Sequence, residues 1–143
     1  MRSLALTLML VGILVFFSMA VNAQTDQFVG NFVATDPNTN GITRLTVSEG
    51  QIHIWGRCHP RDCDWGSAPM DLYAPNVGAN LQDSARATSA VFRPCFAIKI
   101  VIVRPMSENR LKVEVFTKFT DQSRRTDFAS KEILIREDMA LKP

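Results

Sequence analysis

The cleanest pattern in the chain is the alternation from Leu111 to Phe119. Leu111, Val113, Val115, Thr117 and Phe119 oppose Lys112, Glu114, Phe116 and Lys118. A period of two puts successive side chains on opposite faces of a pleated strand. Phe96 to Val103 repeats the period, with Phe96, Ile98, Ile100 and Ile102 against Ala97, Lys99, Val101 and Val103. Ile42 to Val47 does so too, with Thr43, Leu45 and Val47 against Arg44 and Thr46. In Gln51 to Arg57 the isoleucines Ile52 and Ile54 oppose His53, Trp55 and Arg57. Phe28 to Thr35, Ala87 to Arg93 and Phe128 to Arg136 read as further strands. Residues 67–86 are mixed. Met70, Leu72 and Tyr73 suggest a short strand, while Pro69, Pro75 and Gly78 suggest irregular chain or a helical turn.

Turn chemistry separates these runs. Asp36-Pro37-Asn38-Thr39-Asn40-Gly41, Ser48-Glu49-Gly50, Pro105 to Asn109 and Thr120 to Thr126 are the breaks, and Glu137 to Pro143 is a tail. The pattern predicts about eight short antiparallel strands without a long helix, and such a meander tends to close into an up-and-down β-barrel. A two-sheet β-sandwich is the alternative. An eight-stranded barrel either fills with side chains or holds one small ligand. No repeat or linker divides the chain, so one domain is expected over residues 24–143.

The first residues do not follow the alternation. Arg2 precedes an uncharged apolar run from Leu4 to Met19, and Val21-Asn22-Ala23 leads into polar Gln24-Thr25-Asp26. This is the form of a secretory signal peptide, residues 1–23, cut after Ala23. An uncleaved anchor is the rival reading, though the run is short for a span. No cysteine stands at the cleavage point to carry a lipid. The expected location is periplasmic or extracellular, with no membrane insertion after cleavage. The formal charge of +2 drops to +1 when Arg2 is removed. A near-neutral chain of mixed sign has no electrostatic footprint for nucleic acid.

The candidate chemistry gathers in Trp55-Gly56-Arg57-Cys58-His59-Pro60-Arg61-Asp62-Cys63-Asp64-Trp65-Gly66, which holds both tryptophans and two of the three cysteines. Export favours a disulfide between Cys58 and Cys63, and Cys95 is a competing partner for either. Zinc is the sharper alternative, with Cys58, His59, Cys63 and His53 or Asp62 as ligand types. No second cysteine pair supports it, and adjacent Cys58 and His59 point apart in extended backbone. Asp36 to Gly41 copies the first half of a calcium loop, but the bidentate glutamate would fall at Val47. An Asx-rich turn explains the same residues. No metal and no cofactor is expected. The row His53, Trp55 and Arg57 faces outward if Ile52 and Ile54 fill the core. If it faces inward, it is a pocket wall. No nucleophile elbow, zincin helix or phosphate-cradling glycine loop appears, and a disulfide would silence a thiol nucleophile beside His59.

Two runs resemble a family of small exported bacterial β domains without assigned function. They are Asp36-Pro37-Asn38-Thr39-Asn40-Gly41-Ile42-Thr43-Arg44 and His53 to Gly66. A weaker similarity continues through Val113 to Asp121 and Ser123. The chain departs from that pattern at Asn40 and at Arg124-Arg125-Thr126. Cys95 lies outside the pattern, which makes it the odd thiol. The resemblance implies a shared fold and no particular activity. A more distant likeness is to lipocalin-type barrels, which open on Gly-x-Trp and carry a late arginine over the tryptophan. Gly30-Asn31-Phe32 and Arg136 stand in similar places, with Phe for Trp.

The expectation is a non-enzymatic binding module. Its ligand or partner would sit at the open end carrying the Cys58–Trp65 loop, touching His53, Trp55, Arg57, His59, Asp64 and Trp65. A structural or accessory interaction module of the cell envelope is the alternative, and an enzyme of unknown class is third.

Overall fold

The computed structural model describes residues 26–48 and 50–140. The signal-peptide segment and its cleavage point lie outside the described residues. Nine strands form one antiparallel sheet. They are β1 (Gly30–Ala34), β2 (Ile42–Ser48), β3 (Gln51–Gly56), β4 (Cys63–Pro69), β5 (Asp71–Tyr73), β6 (Ala87–Phe92), β7 (Ala97–Ser107), β8 (Arg110–Phe119) and β9 (Phe128–Arg136). Two four-residue helices, α1 (Leu81–Ser84) and α2 (Glu137–Ala140), complete the described elements.

The sheet order is β4-β3-β2-β1-β9-β8-β7-β6-β5, so its two edges are consecutive in sequence. Only Met70 separates β4 from β5. The first part pairs with β3, from Gln51 with Pro69 to Gly56 with Cys63. The second pairs with β6, Asp71 with Ser89 through Tyr73 with Ala87. Residues 63–73 thus act as one leg that changes partner halfway and brings the sheet almost full circle. Counting that leg once reconciles nine strands with the predicted eight.

The alternation fixes what faces inward. Phe32, Leu45, Val47, Ile52, Ile54, Val101, Val103, Leu111, Val113 and Leu134 are fully or almost fully buried and form one core. In β8 the predicted faces hold: Val113 and Val115 are buried, and Phe116 and Lys118 are exposed. In β7 both faces are apolar, and the buried one is Ala97, Val101 and Val103, while Ile100 is exposed. In β2 a register shift between Ile42 and Arg44 lets Ile42 join Leu45 and Val47 in the core. Thr43 is left out of that face, contrary to strict alternation.

One end of the barrel is closed. Phe28 and Ala85 are buried there, and Gln27 Nε2 donates to the Ala85 carbonyl at 3.0 Å. The Arg136 guanidinium lies 4.9 Å from the Phe32 ring centroid. It donates to the carbonyls of Val29 at 2.8 Å, Asp26 at 3.2 Å and Glu108 at 3.3 Å. One planar cation on β9 thereby satisfies carbonyls from two other chain segments, 26–29 and Glu108, that meet below the core. The loops at the opposite end are 35–41, 57–62, 93–96 and 120–127, and they surround the mouth.

The β7 assignment is testable. Val101→Asp places an unpartnered carboxylate in the core and should unfold the domain. Ile100→Asp should leave it folded, since surface changes cost within about 0.5 kcal/mol. Circular dichroism and urea titration of the two variants separate the faces; equal loss in both contradicts the register.

Candidate functional site

Every candidate residue named from the sequence comes to the mouth or to the wall beside it, but on two different surfaces. Alternation in β3 sends His53 and Trp55 outward, and a bulge in β4 sets which of Asp64 and Trp65 turns in. Ile54 pairs with Gly66 and Trp55 pairs with Asp64, so Trp65 has no partner of its own. Gly66, at φ +79°, takes up the extra residue. A glycine accepts this conformation without steric cost. The insertion aims Asp64 outward and Trp65 inward. Cys63 to Gly66, expected as loop, is therefore the start of a strand.

On the outer wall Trp55 is enclosed by its neighbours. The Arg44 guanidinium sits 3.9 Å from its ring centroid, and the His53 ring stacks on it at 4.0 Å. His53 Nε2 and Asp64 Oδ1 are 2.6 Å apart, and His53 Nδ1 lies 2.9 Å from Ser67 Oγ. The Gly66 amide also donates to Asp64 Oδ1 at 2.7 Å. That bond, and then the His53 contact, hold the Asp64 carboxyl below the usual aspartate range. His53, Trp55 and Asp64 thus belong to a satisfied ladder on the outside, and His53 and Trp55 are not pocket wall.

The Cys58–Cys63 disulfide is formed, with a Cα–Cα distance of 5.4 Å. Both sulfurs that a zinc site would require are committed to it. A disulfide fits an oxidising environment, and among the described residues no helix is long and apolar enough to cross a membrane. Cys95 is free and exposed. The loop is anchored by Asp62, which accepts from Thr43 Oγ1 at 2.6 Å and from Arg57 Nη1 at 3.3 Å. Arg57 also donates to the carbonyls of Thr39 at 3.2 Å and Pro37 at 2.7 Å. It ties two mouth loops together. The 36–41 turn is of the Asx type: Asp36 Oδ1 accepts from the Asn38 amide at 2.9 Å. His59 is exposed at the tip of its loop, outside the cavity.

Inside the mouth lies a cavity of about 530 Å³. Trp65, Phe96, Pro94, the disulfide, Arg57 and Lys99 line it, and Asp64, whose carboxylate is bound in the outer ladder, completes the lining. A smaller chamber of about 240 Å³ shares Asn40, Gly41, Trp65 and Lys99 with it, and adds Ile42, Val115, Thr117, Phe128, Ser130 and Glu132. Trp65 lies flat against Gly56: a Cβ on Gly56 would stand 2.7 Å from the indole nitrogen. Its edge meets Phe92 at 6.1 Å between centroids.

Lys99 is the residue that sequence reading missed. Its ammonium lies 4.1 Å from the Trp65 ring centroid. It is half-buried and joins no ion pair among the described residues. Desolvation holds its pKa below the ordinary lysine value. Thr117 Oγ1 is buried without a hydrogen-bond partner at the chamber wall. Glu132, on the same wall, accepts from Thr39 Oγ1 at 2.7 Å. Arg125, exposed in its loop, stacks 3.9 Å from the Phe119 centroid and 5.4 Å from that of Phe96. It folds the 120–127 loop against the rim. A free cation, a flat ring and an unused hydroxyl face one chamber, which suits a partly apolar guest with an acceptor oxygen.

Gly56→Ala should force Trp65 from its seat and cost about 1–3 kcal/mol, the usual penalty of overpacking. Urea unfolding and a shifted tryptophan emission maximum read both effects, and an unchanged spectrum contradicts the contact. Comparison with family models, with curated proteins and with solved structures finds no match, so the assignment of a role rests on the geometry of this site.

Proposed function

We propose that this protein is an exported binding module that holds one small amphipathic ligand in the cavity at its open end. The observation that carries the reading is Lys99, a half-buried cation over Trp65 with no acidic partner among the described residues. Burying a charge without a partner costs stability. A ligand carboxylate on Lys99 would offset that cost, and its apolar body would cover Trp65 and Phe96. Thr117 Oγ1 is placed to donate to a second oxygen. Ligand sites commonly combine an apolar cavity of this size with a few convergent polar groups. The signal-like segment and the disulfide support export. A second reading, an accessory module that contacts another protein through its wall, draws on the exposed apolar residues Val91, Ile100 and Phe116.

Tryptophan fluorescence during titration with aromatic and aliphatic carboxylates tests the first reading. Binding should quench emission, and Trp65→Ala and Lys99→Met should each weaken it about tenfold or more, the loss of roughly one charge-assisted contact. Trp55→Ala should leave it unchanged. Binding that survives Lys99→Met and Trp65→Ala in folded protein contradicts the site.

The pH dependence has a definite sign. The anion is held while Lys99 is protonated, so affinity should fall as pH rises through the depressed pKa, below the range of a free lysine. Stability moves the other way. The unfolded chain binds the Lys99 proton more tightly, so unliganded stability should rise with pH between the folded and unfolded pKa values. Lys99→Met should abolish that rise. A wild-type profile identical to that of Lys99→Met would contradict the buried-lysine assignment.

A further inference from the structure

We propose that the outer wall formed by β6, β7, β8 and β9 is the interface of a symmetric dimer, its occupant a second copy of this chain. Val91, Ile100, Phe116 and Ala129 are successive cross-strand partners and form one row across four strands. Val91, Ile100 and Phe116 are 41%, 44% and 45% exposed. Single exposed apolar residues are ordinary, but a contiguous band of them marks a contact surface.

The flanks of the row indicate what covers it. Two residues before Phe116 is Glu114, and two residues after it is Lys118. Two before Ala129 is Asp127, and two after is Lys131. Ile98 and Ile102 stand in the same relation to Ile100. Charge therefore changes sign across the row on both charged strands, while β7 is apolar on both sides. Consider a two-fold axis that lies in the interface and runs along the row, across the strands. It lays each strand antiparallel on its copy. Glu114 then meets Lys118 of the second copy, Lys131 meets Asp127, Ile98 meets Ile102, and Ile100 and Phe116 meet themselves. Such self-complementarity is what a closed, isologous interface demands. Lys118 and Lys131 form no ion pair among the described residues. Asp127 accepts from the Phe119 amide through one carboxylate oxygen and Glu114 already meets Arg104 and Lys112, so these two carboxylates share their existing contacts with the lysines across the interface. The barrel wall curves, which confines the contact to these strands and makes the dimer concentration-dependent. The proposal is independent of any ligand at the mouth.

Sedimentation equilibrium of the purified protein over a concentration series tests it. The wild type should reach dimer mass, and Phe116→Glu should remain monomeric while keeping its circular dichroism spectrum. Lys118→Glu should weaken the dimer about tenfold or more, because two-fold symmetry breaks the contact twice. Adding Glu114→Lys to Lys118→Glu should restore much of the lost affinity. A wild type that stays monomeric throughout overturns the proposal. So does a dimer indifferent to Lys118→Glu, or a double variant no tighter than the single one.

Discussion

The one-residue bulge at Trp65 decides how the rest of the mouth is built. Without it, the strict alternation of β4 would carry Trp65 to the same side as its neighbours' outward residues. With it, the two exchange sides, so that Asp64 stands outside beside Trp55 and Trp65 turns inward. Outside, Asp64 completes a ladder with His53 and Ser67 that covers one flank of Trp55. Inside, Trp65 lies on Gly56 and presents its face to Lys99. The disulfide restrains the loop that leads into the bulge. Closing so short a loop is worth about 2 kcal/mol in the chain-entropy model. It also limits the motion of the wall on which a guest would rest.

The two ends of the barrel divide the work. At the closed end Arg136 collects carbonyls and covers Phe32, and the core above it is filled with side chains. At the open end the inward positions include Gly56, Ala97 and Lys99, which are small or polar and leave space beside Trp65. A lysine there opposes stability through desolvation, while its contact with Trp65 returns about 0.5–2 kcal/mol. Natural chains break such local rules mainly at functional or strained sites.

The barrel was legible because β2, β3 and β8 each set apolar residues against polar ones. The fourth leg was not. Gly66, Ser67 and Pro69 are poor strand formers, and the bulge breaks the period that would have announced it. Lys99 escaped for another reason. Both faces of β7 are apolar, and a lysine among them reads as the solvent side. Only the pairing of Ala97 with Phe119 and Val101 with Val115 shows that its face turns inward. The candidate loop stands at the open end, and of the residues named from the sequence Arg57, Asp64 and Trp65 line the cavity. His53 and Trp55 share β3 with buried Ile52 and Ile54, so they had to face outward. Where Asp64 would point was beyond reach, because it depends on a register shift that no local preference encodes.

The contact between Lys99 and Trp65 is the centre of this account, and side-chain NMR reads it directly. In the ligand-free protein the Lys99 methylene protons should be shifted upfield by the indole ring. The Lys99 Nζ should titrate below the ordinary lysine range, and the upfield shift should be lost in Gly56→Ala. A Lys99 with unshifted methylenes and an ordinary lysine titration would place its side chain in solvent and contradict the site.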